Sequence, residues 1–194
     1  MNRRDAIKRL SLLMGGAIIG SETFLRGETL AGKSAPLELS GEELSLLDEI
    51  GETIIPTTST PGAKAVGIGA FMQMMVNDCY DEAHQSVFKA GLAQLDADCR
   101  QSCGRTFLEA TAAERTALLN RLDAEAREHQ SRKASGTPVH YFRMLKQLTL
   151  LGYFTSEIGC TRALRYVEVP GSYNGNAPYQ KGDRAWFVPA GRLL

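Results

Sequence analysis

Between Leu44 and Phe154 apolar residues recur every three to four positions, the period of a helix face, and the pattern is broken at intervals by proline, glycine and small polar residues. Ser40-Gly-Glu-Glu43 has the S-x-x-E form of a capping box and precedes Leu44, Leu47, Ile50 and Ile54. The spacing predicts a helix over about Gly41 to Ile55, stopped by Pro56, with a loop continuing to about Val66. A second helix is expected over Ile68 to Tyr80, with Phe71, Met74, Met75 and Cys79 on overlapping faces. The methionines there read as core filler rather than as ligands, because an unbranched thioether fills irregular gaps. Glu82 to about Cys103 carries Val87, Phe88, Leu92 and Leu95 on a buried face, and Gly104 stands where a C-terminal cap belongs.

Thr111-Ala-Ala-Glu114 repeats the capping-box pattern and opens a helix with Leu118, Leu119 and Leu122 inward. Its opposite face, with Arg115, Arg121, Asp123, Glu125, Arg127 and Glu128, reads as a solvated surface. After the break at Ser131 to Gly136, Thr137-Pro138 supplies an N-cap and a first-turn proline. The helix from about Pro138 to Thr155 is the most apolar, and Tyr141, Phe142, Leu145, Leu148, Leu151 and Phe154 are expected at the centre. The pattern therefore predicts an all-α fold: a small bundle of five or six helices between Gly41 and Cys160, with little strand. Its core should include Leu47, Phe71, Phe88, Leu118, Leu145 and Leu148. From Leu164 onward Pro170, Gly171, Gly175, Pro178, Gly182 and Pro189 interrupt any helix, while Tyr166, Tyr173, Tyr179, Trp186 and Phe187 persist. Disordered tails are poor in aromatics, so this one reads as an ordered, irregular extension from about residue 165 lying on a surface, its own or a partner's. Aromatics among glycines and prolines match an interface composition, which makes Tyr166, Pro170, Tyr173, Tyr179 and Trp186 the candidate partner-binding residues.

The N-terminus has a different pattern. Arg3 and Arg4 precede a short apolar run, Leu10 to Gly20, diluted by Gly15, Gly16 and Gly20. The run is far short of the roughly 20 residues that span a bilayer, so it reads as an export address rather than an anchor. It resembles a twin-arginine signal, with Asp5-Ala-Ile-Lys8 keeping the apolar-then-lysine pattern though without the usual phenylalanine. That route carries folded proteins. Residues 1–35 are accordingly assigned to signal and linker, and residues 36–194 to a single helical domain with its extension.

Charge adds an exclusion. The chain has 22 basic and 22 acidic residues, and outside the N-terminus the basic ones are dispersed, which argues against a nucleic-acid partner. Four cysteines in a chain bound for an oxidising compartment are compatible with disulfides and equally with buried free thiols. If bridges form, Cys79 with Cys160 and Cys99 with Cys103 are the preferred pairs. An intact helix gives the latter a poor geometry that a frayed last turn would relieve, and Cys160 has the alternative of bonding to a partner. Dinucleotide, phosphate-loop and c-type haem motifs do not occur in the sequence. The Cys99-x-x-x-Cys103 pair has no nearby histidine to complete a zinc set. His84, His129 and His140 are far apart in sequence, and the Asp78/Asp81 and Asp96/Asp98 pairs are ordinary on solvated helices, so neither supplies a catalytic pairing. No catalytic, cofactor-binding or metal residue is proposed.

Three blocks resemble subunit 3 of gluconate 2-dehydrogenase: Asp48-Glu-Ile-Gly-Glu-Thr-Ile-Ile-Pro56 with Thr60-Pro-Gly-Ala63; Val76-Asn-Asp-Cys-Tyr80; and Phe142 through Gly159, leading into Ala163-Leu-Arg-Tyr166 and Pro170-Gly-Ser-Tyr173. The resemblance runs from about Leu44 to Tyr179 and implies a non-catalytic small subunit. Its implied partner is a large flavoprotein of the glucose-methanol-choline oxidoreductase family, which holds FAD, takes hydride from the sugar and passes electrons to a cytochrome. The small subunit is then expected to support folding of the large one and, through its twin-arginine signal and the Tat translocase, to bring it to the periplasm. Two other readings compete: a free-standing periplasmic enzyme acting on sugars, which would turn over substrate alone, and a structural helical protein, which would have no flavoprotein encoded beside it.

Overall fold

Five α-helices account for most of the described residues: α1 (Gly41–Ile54), α2 (Ile68–Cys79), α3 (Glu82–Cys103), α4 (Ala112–Arg132) and α5 (Tyr141–Thr155). A short 3₁₀ turn (Ala63–Val66) precedes α2, and a wide π-type turn (Gly159–Ala163) follows α5. They belong to a computed structural model that describes residues 36–134, 136–169, 171 and 175–187. The chain divides between Pro36 and Leu37. Past the π turn come β1 (Arg165–Tyr166) and β2 (Trp186–Phe187), which pair in parallel with Arg165 opposite Trp186. The fold is all-α, as the periodicity indicates, and the extension expected to be irregular contains this one short pairing.

The helix ends follow from local chemistry. Ser40 Oγ accepts the Glu43 N–H at 3.2 Å while the Glu43 carboxylate accepts the Ser40 N–H at 2.8 Å, so both halves of the capping box are formed. Thr111 and Glu114 repeat the exchange at the start of α4. Asp81 caps α3 by accepting the His84 N–H at 2.8 Å. At the other end of α3 Gly104 turns left-handed, φ 73°, and returns its N–H to Arg100 O at 2.9 Å.

Helix α5 starts three residues later than its proline suggested. His140, not Thr137, is the cap, and its ring Nδ1 accepts the Phe142 N–H at 3.2 Å. The Thr137 N–H instead closes a turn onto Ala134 O, which leaves Pro138 outside the helix.

Helix α5 packs against each of the other four helices and is the centre of the bundle. Leu47, Phe88, Leu118, Leu145 and Leu148 are buried as expected; Phe71 is half-buried. On α2 the core face is Ile68, Met72 and Val76, so Met72 fills the core while Met74 and Cys79 point to solvent. On α5 the buried stripe runs Phe142, Leu145, Leu148, Thr149, Gly152 and Tyr153, and Leu151 is exposed rather than central. The cause lies at Gly152, where a Cβ would stand 2.5 Å from Ile68 Cδ1 and from Phe71 Cδ1. The missing side chain lets α2 approach that face, which turns Leu151 away. Each large apolar side chain removed from water contributes about 1.5–3 kcal/mol, so this stripe is a substantial stabilising contact of the bundle.

Candidate functional site

The extension is built on the π turn. Gly159 is required there, because a Cβ would lie 1.8 Å from Tyr153 O. The chain leaves in β1, where the Arg165 N–H donates to Ala185 O at 2.8 Å. It returns through a turn in which Gln180 and Asp183 exchange hydrogen bonds, Gln180 N–H to Asp183 Oδ2 at 2.9 Å and Asp183 N–H to Gln180 O at 3.0 Å. Arg184 donates to Arg162 O at 2.8 Å, holding the returning strand to the π turn. Arg165 binds Asp183 at 2.9 Å and lays its guanidinium over the Trp186 ring, 5.1 Å from the centroid. Yet the large side chains face solvent: Tyr166 is 44% exposed, Trp186 59%, Val169 62% and Tyr179 76%. Of the candidate partner-binding residues, Tyr166, Tyr179 and Trp186 are thus surface groups on a tethered segment. Pro170 and Tyr173 lie outside the described residues, as do Arg3 and Arg4.

The carboxylates of the Asp48–Pro56 block hold the fold. Asp48 Oδ1 accepts the Gly69 N–H at 2.8 Å at the start of α2. Glu49 bridges Lys64 and Arg115, the latter at 2.5 Å, and the Lys64 hydrogen bond chiefly holds its carboxyl below the usual range. Burial pushes Glu52 upward, but hydrogen bonds from Thr57 and the Lys64 N–H outweigh it and keep the group ionised. Arg115 also donates to Phe107 O at 2.9 Å and Leu108 O at 2.7 Å, which ties α1, α4 and the α3–α4 loop together. The Tyr153 hydroxyl donates to Pro61 O at 2.6 Å and closes the α1–α2 loop onto α5. In the second block, Asn77 clasps Leu37, accepting its N–H at 2.7 Å and donating to its carbonyl at 3.1 Å.

All four cysteines are free thiols. The Cys99 and Cys103 sulfurs are 3.5 Å apart on an unbroken last turn of α3, where Cys103 donates to Cys99 O at 3.1 Å. Burial, and then the neighbouring thiol, push Cys99 up to about 12. Cys160 is buried and donates to Phe154 O at 3.2 Å, whereas Cys79 is exposed. Among the described residues no three His, Cys, Asp or Glu side chains gather as a metal set.

The structure does bring together two histidines that sequence spacing kept apart. His129, near the end of α4, meets His140 edge-on with ring centroids 5.8 Å apart, and His140 stacks on Tyr141 at 4.7 Å. The signal was available, since both flank the break at Ser131 to Gly136 between adjacent helices. His129 Nδ1 and the Tyr141 hydroxyl are buried there without a hydrogen-bond partner. His84 binds the Asp81 cap at 2.6 Å.

The chain is a small helical protein whose acidic groups brace its own loops and which holds an aromatic extension in solvent. Residues 41–171 match the family described as gluconate 2-dehydrogenase subunit 3, and the chain belongs to that family. Neither the curated proteins nor the solved structures contain a match to it. Among the described residues no helix is long and apolar enough to cross a membrane.

Proposed function

We propose that the chain is the non-catalytic small subunit of a periplasmic FAD-dependent dehydrogenase acting on gluconate, another sugar or a glycoside. It supports folding of the large flavoprotein and carries it through the membrane on the twin-arginine route. FAD belongs to the large subunit, of the glucose-methanol-choline type, and a cytochrome accepts the electrons. This chain contributes a docking surface and no cofactor. Family membership supports the complex, and the observation that carries the docking role is the exposure of Tyr166, Tyr179 and Trp186 on an extension tethered by Arg165 and Arg184. Aromatic groups dominate interface energetics because they remove large apolar area from water at little entropic cost.

Truncation before Arg165 tests the reading. The shortened chain should still reach the periplasm, while periplasmic FAD-dependent dehydrogenase activity is lost. Undiminished activity would remove the docking role from the extension. Sugar oxidation by the purified chain without a flavoprotein would replace the subunit reading with that of an enzyme.

A further inference from the structure

We propose that Arg165 is a positioning residue that holds Trp186 ready for docking, and that the flavoprotein receives this indole in an apolar pocket rimmed by carboxylates. The inference rests on the function proposed above and deepens it. Trp186 is 59% exposed, yet it is held from several sides: the β1–β2 pairing sets it opposite Arg165, the guanidinium covers its ring at 5.1 Å, and Asp183 fixes that guanidinium at 2.9 Å. Behind it Arg184 is bound to the carbonyls of Arg162 and Thr161, at 2.8 and 3.4 Å. An indole ordered before contact loses less rotamer freedom on binding, which is how preorganisation gains affinity.

The charges select the partner. The segment 161–187 carries Arg162, Arg165, Lys181 and Arg184 against Glu168 and Asp183. Asp183 is engaged by Arg165, and Arg184 meets carbonyls, which leave its charge uncompensated. In a chain of zero net charge this segment is therefore locally cationic, and a complementary surface is acidic around its apolar centre.

The experiment titrates the full-length chain with the FAD-binding oxidoreductase expressed with it, and follows the fluorescence anisotropy of Trp186, the only tryptophan of the sequence, without partner. Trp186→Ala should weaken binding by about 30-fold or more. Arg165→Met should lower the anisotropy of the free chain and weaken binding by about tenfold, with Arg165→Lys intermediate because it restores charge without the planar stack. Asp183→Asn, which leaves Arg165 in place, should lower anisotropy in the same direction, and helical circular dichroism should be unchanged throughout. Added salt and Lys181→Glu should each slow association. No binding by the unaltered chain overturns the proposed function and this inference together. Binding that Trp186→Ala and Arg165→Met leave within about twofold overturns the inference alone. Association indifferent to salt and to Lys181→Glu overturns the acidic rim.

Discussion

Arg115 was expected on the solvated face of α4, and its position in the fold shows why a charge pattern does not reveal partners. Its guanidinium joins Glu49, Phe107 O and Leu108 O and lies 5.5 Å from the centre of the Phe107 ring. Arg115→Met removes the donor from two carbonyls and one half-buried carboxylate, so unfolding free energy should fall by about 2–4 kcal/mol. Urea titration with an unchanged slope measures it; a loss below about 1 kcal/mol would mean that water replaces the lost donors. His140 gives the pH dependence. Burial, then the nearby His129, hold its pKa below the ordinary value, while Glu125 pulls the other way. Between that lowered value and about 6.5 the unfolded chain binds more protons than the folded one, so stability is complete above about pH 6.5 and declines as pH falls through the window. A proton on Nδ1 would also displace the Phe142 N–H that the ring accepts and place a cation at a helix N-terminus. His140→Asn keeps a capping acceptor without titration and should flatten the slope in that window. An unaltered slope would move the effect elsewhere. Glu49, held low chiefly by Lys64, adds a second decline at lower pH, as acid titrates it through its depressed pKa.

At the scale of elements, the ends of α1, α3 and α4 were legible because a cap is local chemistry, read from residues three or four apart. The start of α5 was not, because a histidine cap has no standing among the usual capping residues and Thr137-Pro138 offered a stronger local signal. Two glycines separate local from tertiary demands. A Cβ at Gly41 meets nothing within 4 Å, and Gly41→Ala should raise stability by about 0.4–1 kcal/mol by restricting the unfolded chain. Gly152→Ala drives a methyl into Ile68 and Phe71 and should cost about 1–3 kcal/mol as α2 is pushed from α5. Thermal unfolding of the two variants compares them directly, and equal shifts would mean that α2 yields without strain.

At the scale of the whole molecule, the proposed export address and the proposed docking extension stand at opposite ends of the sequence, so their lesions separate. Replacing Arg3 and Arg4 by lysine should retain both this chain and the flavoprotein in the cytoplasm, because folded cargo without its own signal moves only with its escort. Fractionation and immunoblotting check this; a flavoprotein still in the periplasm would show that it travels by itself. By itself the sequence determined the helical class, most helix boundaries, the aromatic content of the extension and the family blocks, all properties of period, caps and composition within a few residues. Only the tertiary structure decided which of two neighbouring side chains enters the core, as with Met72 against Met74 and Thr149 against Leu151. It also joined residues far apart in sequence, Glu49 to Arg115, Tyr153 to Pro61 and Arg165 to Trp186. The physical reason is that a helix period repeats along one element, whereas the face that becomes buried is chosen by the closest approach of another, here where Gly152 admits α2.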